Sequence, residues 1–210
     1  MSEEESRPLR NDPDRALVEA CKATAPTGLQ GAFRSLYEQY KDRVYNVCYR
    51  ITGNATDALD ASQETFGIMF RKISEFRFES KFSSWVYRIA INASIDIKRR
   101  SGTRWLASLE GARESEGVEF PRTDLRDERT EPPAAAASRH ELEDEVQQAI
   151  SRLSPKMRAI TVLRYLENLS YEEIAEALHV SIGTVKSRLS RAHQALDREL
   201  TPVLDRHYLR

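Results

Sequence analysis

Residues 171–196 read YEEIAEALHVSIGTVKSRLSRAHQAL, and their apolar residues recur at the spacing of two short helices joined by a tight turn. Ser170, three residues before Glu173, has the form of a capping box and predicts the start of the first helix. A small side chain at Ala175 lets the two helices approach closely. The predicted core positions are Ile174, Ala175, Leu178, Val180, Val185 and Leu189. The segment therefore predicts a helix-turn-helix.

The charges of this segment are segregated between its two helices. Glu172, Glu173 and Glu176 mark the first helix, whereas no acidic residue occurs from 180 to 196. A helix that enters the major groove needs hydroxyls and cations near its N-terminus, where they reach base edges and phosphates. An ordinary solvated helix with a basic face is the alternative, but cap, turn spacing, core pattern and charge agree on DNA binding. The predicted DNA contacts are Ser181, Thr184, Lys186, Ser187, Arg188 and Arg191.

The composition of the 210 residues restricts the function classes. With 32 Lys and Arg against 33 Asp and Glu, the net charge is −1, so nucleic-acid contacts must use locally concentrated cations. Cys21 and Cys48 lie far apart and the 4 histidines have no ligand spacing, so we expect no metal, cofactor or disulfide framework. No catalytic spacing is convincing, which predicts that the protein is not an enzyme. The acidic start and the lack of a ~20-residue apolar run predict a cytoplasmic protein without membrane insertion.

Helical periodicity predicts an all-α fold of two small helical domains joined by an irregular linker. The predicted helices are 31–52, 55–73, about 80–100, 140–153, 155–168, 171–178 and about 182–200. The stretch between the two groups of helices contains Gly, Pro and mixed charge without apolar periodicity, which indicates a linker. The first ~12 residues are charged and carry proline, which predicts a disordered tail. The predicted divisions are a tail at 1–28, an amino-terminal module at 29–100, a linker at 101–139 and a carboxyl-terminal module at 140–203.

Several predicted helix ends are marked by their residue types. Gly53 predicts the end of the first helix of the amino-terminal module. Either Asn54 or Thr56 could cap the helix that follows. Ser154 before Pro155 has the form of an N-cap followed by proline at the first helical position.

Aromatic and basic residues are interleaved in residues 76–100, FRFESKFSSWVYRIAINASIDIKRR. Aromatic faces can stack on unpaired bases while cations hold phosphates, and stacking at ~1–3 kcal/mol per base is comparable with the cost of unpairing. Such a surface could trap opened DNA. The alternative is that Phe78, Phe82, Trp85 and Tyr87 simply form core, as aromatics at helical spacing usually do. We expect a mixture of inward and DNA-facing rings.

The second helix of the amino-terminal module carries Asp57, Asp60, Gln63 and Glu64 at three- and four-residue steps, so that they share one face. Phe66 follows on the same helix. On composition alone this is an ordinary solvated acidic face.

Three stretches together resemble the extracytoplasmic-function (ECF) group of the bacterial sigma-70 family. Residues 57–66 resemble the helix by which such factors dock on the clamp of RNA polymerase core. Residues 76–100 resemble the segment that melts and reads the −10 promoter element, and residues 153–196 resemble the domain that reads the −35 element. The order of these stretches and the linker between them also fit, so the combination is far more specific than the helix-turn-helix alone.

The resemblance implies a transcription initiation factor with RNA polymerase core, promoter DNA and an anti-sigma factor as partners. It implies core-polymerase contacts at Asp57, Asp60, Gln63, Glu64 and Phe66. Candidates for holding an extruded −10 base are Phe78, Lys81, Phe82, Ser83, Ser84 and Trp85. Further −10 contacts would come from Arg88, Asn92, Lys98, Arg99 and Arg100. The basic helix of the helix-turn-helix becomes the −35 reader.

Two residues depart from the family pattern. Leu59 stands where such helices commonly carry an acid, and His179 stands where the turn often has glycine. Histidine is among the few other residues enriched at positive φ, so we expect the turn to form with some strain. Two other functions stay open at this point: a stand-alone helix-turn-helix regulator with an amino-terminal sensor module, and a small helical enzyme with a DNA-binding appendage.

Overall fold

The computed structural model describes residues 12–23, 29–109 and 133–208, and within these ranges it contains helices and turns but no strand. The α-helices are α1 (Arg15–Ala23), α2 (Leu29–Thr52), α3 (Ala55–Lys72), α4 (Phe82–Leu109), α5 (Pro133–Arg152), α6 (Pro155–Tyr165), α7 (Tyr171–Leu178) and α8 (Ile182–Tyr208). A short 3-10 turn, Ile73–Glu75, leads from α3 into a loop formed by residues 76–81. The predicted all-α fold is confirmed.

Local capping fixes where several of these helices begin. Asn54, rather than Thr56, caps α3: its side chain accepts the N–H of Asp57 at 2.7 Å. Gly53, with φ of +83°, ends α2 in a conformation that costs glycine little. Ser154 caps α6 as predicted, with proline at the start of that helix.

The core of the amino-terminal module lies between α2, α3 and α4, which pack closely on one another. Leu36, Ile51, Met69 and Ile91 are among its most buried side chains. Burying one such side chain completely stabilises the fold by about 1.5–3 kcal/mol, so this core dominates the stability of the module. The three- and four-residue spacing of apolar residues in α2 and α4 thus reflects the burial of one face of each helix in this core.

Helical structure extends beyond the predicted helices at several places. The predicted tail contains α1, whose Val18 and Cys21 are fully buried. The predicted linker is helical at both edges, because α4 continues to Leu109 and α5 already begins at Pro133. At the carboxyl end α8 continues past Leu200 to Tyr208 with Pro202 inside it. The remaining linker residues, 110–132, and the first eleven residues lie outside the described ranges.

The two modules pack against each other. Helix α4 contacts α7 and α6, and α2 contacts α5 and α6. Buried polar groups cross the boundary: the Arg158 guanidinium is 4% exposed and donates to the Ile51 carbonyl at 2.6 Å, and Arg50 donates to the Gln147 side chain at 2.9 Å. The structure is therefore a closed arrangement of the two modules.

None of the described helices combines the length and the hydropathy that a membrane-spanning helix needs.

Candidate nucleic-acid interface

The helix-turn-helix forms as predicted. Ser170 and Glu173 make a reciprocal capping box: the Glu173 backbone N–H donates to the Ser170 hydroxyl at 3.1 Å, and the Ser170 backbone N–H donates to the Glu173 carboxylate at 2.7 Å. The turn depends on His179, whose φ of 50° and ψ of 51° lie in the left-handed region. The expected positive φ at this position is thus confirmed.

The start of α8 is held by its own hydroxyl side chains. Ser181 accepts the Thr184 backbone N–H at 3.1 Å, and its hydroxyl lies 2.9 Å from that of Thr184. Ser187 donates to the Thr184 carbonyl at 3.1 Å. All three hydroxyls predicted to contact DNA, those of Ser181, Thr184 and Ser187, therefore also make hydrogen bonds near the start of the helix that carries them.

One face of α8 is buried and the other is exposed. Val185 and Leu189 anchor it to α7 with 0% and 2% exposure. The cations predicted to contact DNA lie outside this seam: Lys186 and Arg191 are exposed, and Arg188 is half-buried. The exposed surface near the start of α8 thus carries hydroxyls and cations without an acid, as a major-groove reader requires.

The aromatic residues of loop 76–81 and of early α4 are mainly core. Phe76, Phe78, Phe82 and Tyr87 are 6%, 4%, 0% and 0% exposed, and Phe76 lies at ring-centroid distances of 5.0 Å from Phe78 and 5.4 Å from Phe82. Trp85 is half-buried, and its ring centroid lies 5.2 Å from that of Phe76. Of the aromatics predicted to hold an extruded base, Trp85 is the one that keeps an accessible edge.

Phe78, Phe82 and Ser84 are therefore not presented to solvent in this closed structure, although all three were predicted at the −10 interface. Phe78 has a φ of +56°, which is rare for a bulky residue and strains the loop. The Ser84 hydroxyl is fully buried and has no hydrogen-bond partner among the described residues. These residues are part of the core beneath the predicted −10 surface.

Two predicted −10 contacts, Lys81 and Arg88, are occupied by the carboxyl-terminal module. Lys81 Nζ lies 2.5 Å from the Glu173 carboxylate, which raises the pKa of Lys81. Arg88 donates to the carbonyls of Glu176 and Ala177 at 2.8 Å each, at the end of α7. Partial burial lowers the pKa of Arg88, and the nearby Glu176 charge opposes this effect. Both cations therefore pair with groups of α7, although 43% of the Lys81 side chain stays exposed.

A buried carboxylate completes the contact between the modules. Glu167, in the turn between α6 and α7, has a side chain only 4% exposed. It accepts from Arg43 Nε at 3.0 Å and from a terminal nitrogen of Arg43 at 2.9 Å, and also from the Tyr87 hydroxyl. Burial, followed by the Glu167 charge, raises the pKa of Tyr87, so this hydroxyl stays a donor. The carboxylate thus ties α2 and α4 to the carboxyl-terminal module.

The remaining predicted −10 contacts lie farther along α4 and differ in exposure. Asn92 is exposed, and Arg99 is exposed while pairing with Asp96 at 3.1 Å. Arg100 is exposed. Lys98 is half-buried and donates to the Thr52 carbonyl at 3.0 Å, where burial lowers its pKa. Asn92, Arg99 and Arg100 are thus exposed, with Arg99 paired to Asp96 and Arg100 4.0 Å from the Glu64 carboxylate, whereas Lys98 mainly ties α4 to α2.

The acidic face of α3 is exposed in the middle of the helix, whereas at the helix start its carboxylate makes hydrogen bonds within the protein. Asp60 and Gln63 are exposed, and Glu64 is half-buried. Asp57 is half-buried and accepts from Asn54 at 2.8 Å and from Ser101 at 2.9 Å, so part of its role is to hold the helix start.

An aromatic surface adjoins this acidic face. Phe66 packs edge-on against Tyr37 at 4.8 Å, and Phe33 against Phe70 at 5.0 Å. Leu59, where an acid is common, is 50% exposed. The helix therefore presents an acidic and apolar surface together.

Sequence reasoning missed Asp12, Arg43 and Glu167. Asp12 stands before Pro13 in a pattern typical of a helix start, so its local role was readable. The role of Glu167 could not be inferred in this way, because its partner Arg43 lies 124 residues earlier in the chain.

Comparison with known proteins agrees with this geometry. Residues 36–104 match the family model for Sigma-70 region 2, and residues 143–196 match that for Sigma-70 region 4. The ECF RNA polymerase sigma factor SigW of Bacillus subtilis is 38% identical over 173 residues, which cover 82% of this chain and 91% of SigW. The RNA polymerase sigma-H factor of Pseudomonas aeruginosa is 35% identical over 196 residues, which cover 93% and 98% of the two chains.

A solved structure supports the fold. The sigma factor RpoE from Bartonella quintana, crystallised with the anti-sigma factor NepR, superposes with a TM-score of 0.59 at 22% identity, over 80% of this chain and 96% of that one. Both helical modules, in order, thus belong to one known architecture. The chain belongs to the ECF sigma factors of the sigma-70 family, the transcription initiation factors that direct RNA polymerase to promoters.

Proposed function

We propose that the two modules divide promoter recognition between them. In the carboxyl-terminal module, α8 reads −35 duplex through the hydroxyls and cations near its start. In the amino-terminal module, Trp85 near the start of α4 and the exposed residues Asn92, Arg99 and Arg100 farther along it hold the melted −10 strand. The acidic and apolar surface of α3 binds the polymerase core. The observation that carries the assignment is the exposed surface of the first part of α8, residues 182–196, which has no acid and is anchored by Val185 and Leu189 in a capped helix-turn-helix.

The closed arrangement adds a requirement to this proposal. Lys81 and Arg88 can reach DNA only after they leave Glu173 and the end of α7. Two promoter elements about two helical turns apart, at ~34 Å per turn, also require the modules to separate. The protein therefore opens when it joins the core and the promoter.

A promoter-opening assay tests the proposed function. The full chain is mixed with bacterial RNA polymerase core and a library of random promoter-length duplexes, and the retained sequences and their permanganate-reactive thymines are recorded. We expect enrichment of two spaced elements, with melting at the downstream one. Duplex binding without any opening in the presence of core would overturn the assignment and favour a stand-alone regulator.

We also propose an anti-sigma protein as a partner, since the solved RpoE structure contains one. Affinity capture from cells that express the tagged chain would recover polymerase subunits together with this partner. Recovery of polymerase subunits alone would count against an anti-sigma partner but would leave the proposed binding to polymerase unaffected.

A further inference from the structure

Helix α1 lies outside both segments that match the sigma-70 family models, yet it is folded onto the −10 module. Val18 and Cys21 are fully buried. The Asp14 carboxylate, 3% exposed, accepts from the Tyr40 hydroxyl and from the Gln39 side chain of α2. Helix α1 is therefore anchored on α2, a helix of the amino-terminal core.

Asp12, just before α1, caps the start of α4. Its Oδ2 atom accepts the backbone N–H of Phe82, the first residue of α4, at 2.6 Å, and its Oδ1 atom accepts the N–H of Asp14 at 2.9 Å. Asp12 is 6% exposed. The first N–H groups of a helix have no partner within the helix, so a side chain must satisfy them. Here that side chain comes from 70 residues earlier in the chain.

The same helix also holds the middle of loop 76–81. Lys22 Nζ donates to the Phe76 carbonyl. The Arg15 guanidinium lies 4.5 Å and the Lys22 ammonium 5.2 Å from the centre of the Phe78 ring, as cation–π contacts. Since Phe78 has a positive φ, its surroundings must hold the loop in this conformation.

We infer that α1, acting through Asp12 and Lys22, positions loop 76–81 and the start of α4 for capture of the melted −10 strand. This inference rests on the proposed function, in which that segment holds the strand. Asp12 and Lys22 are positioning residues, because Asp12 accepts the first N–H of α4 and Lys22 donates to a carbonyl of the loop. Without them the loop must be ordered when DNA binds, and the cost of ordering is subtracted from the affinity.

The substitution Asp12→Ala distinguishes a positioning role from a simple charge effect, because the two change DNA binding in opposite directions. Removing an acid near DNA strengthens binding through electrostatics. Loss of the cap instead weakens capture of the melted strand, and we expect about tenfold less open complex. The assay uses holoenzyme assembled from the full chain and core, on a promoter recovered from the library, with permanganate reactivity as readout. Asp42→Ala removes an exposed acid of α2 and is the matched control.

Lys22→Met tests the other end of the loop with an independent variant. We expect reduced opening with an unchanged slope of log affinity against log salt, because Lys22 donates to a carbonyl and not to a phosphate. Lys41→Met removes an exposed cation that pairs with Glu38 on α2 and should leave opening unchanged. A slope smaller by about 0.7 for Lys22→Met would mean a direct phosphate contact and would overturn the positioning role.

Rescue and folding controls complete the test. Asp12→Asn keeps one acceptor oxygen and should restore part of the opening, and it carries the test if Asp12→Ala does not fold. Core affinity and −35 duplex binding should match the unsubstituted chain in every variant. If opening falls only in step with core affinity, or not at all, the inference is overturned. If the unsubstituted holoenzyme opens no promoter, the proposed function fails instead.

Discussion

Lys186 is an exposed cation on the outward face of α8, next to the buried anchor Val185. If it holds a phosphate or base edge of the −35 duplex, Lys186→Ala should weaken duplex binding and reduce the slope of log affinity against log salt by about 0.9. Fluorescence anisotropy at several salt concentrations measures both. Lys156→Ala, an exposed lysine at the start of α6, is the control for charge alone. Equal effects of the two variants would remove α8 from the interface.

Asp60 offers a cleaner test of the polymerase contact than Asp57. Asp60 is exposed, whereas Asp57 accepts from Asn54 and Ser101 and so contributes to folding. Asp60→Ala should reduce core affinity several-fold, about 1 kcal/mol, if it pairs with a basic group of the clamp, and should leave −35 duplex binding unchanged. Competition for core against the unsubstituted chain measures the change. An unaltered affinity would place the contact elsewhere on α3.

Single residues were predicted well where local geometry determines their role. The capping box of Ser170 and Glu173 and the positive φ of His179 follow from rules that span fewer than about five residues, and the same rules left two candidates, Asn54 and Thr56, for the cap of α3. The environment of Arg88 does not follow from such rules. Its partners lie on a helix about 90 residues away, and no pattern within α4 reveals them.

Some helix ends can likewise be predicted from local sequence, whereas others cannot. The run from Ala134 to Ala137 contains the strongest helix former and follows a proline at the first position, so the early start of α5 was readable. The continuation of α4 past Gly102 was not. A glycine inside a helix costs about 1 kcal/mol, which a helix already formed can absorb as it propagates.

The helix-turn-helix depends on the cap of α7. Ser170→Ala removes the acceptor for the Glu173 backbone N–H and should lower the free energy of unfolding by about 1 kcal/mol. Thermal or urea denaturation checks this value, and −35 binding at low temperature should persist. Ser190→Ala, an exposed position in the middle of α8, should change stability by less than about 0.5 kcal/mol. If Ser190→Ala lowered the free energy of unfolding as much as Ser170→Ala, the effect of Ser170→Ala could not be attributed to loss of the cap.

The arrangement of the two modules could not be predicted from the sequence. Arg43 lies in the predicted helix 31–52 and Glu167 in the predicted helix 155–168, and the sequence assigned no role to either. Only the fold shows that Glu167 is buried between Arg43 and Tyr87. The contact is long in sequence and made of ordinary residue types, so neither periodicity nor a motif marks it. Together with the contacts of Lys81 and Arg88 on α7, it holds the carboxyl-terminal module over part of the proposed −10 surface.

The closed arrangement should therefore depend on Glu167. Glu167→Ala leaves the buried Tyr87 hydroxyl and the half-exposed Arg43 without their acceptor, which weakens the contact by on the order of 1–3 kcal/mol. A compact chain of this length has a radius of gyration near ~17 Å, and small-angle X-ray scattering should show a clear increase as the modules separate. Glu172→Ala removes an exposed acid from α7 and should leave the radius unchanged. If Glu167→Ala stays as compact as the unsubstituted chain, other contacts, such as that of Arg158 with the Ile51 carbonyl, are sufficient to hold the modules together. An increased radius of gyration would instead identify the Glu167 carboxylate as the group whose release separates Lys81 and Arg88 from α7 and leaves them available to the promoter.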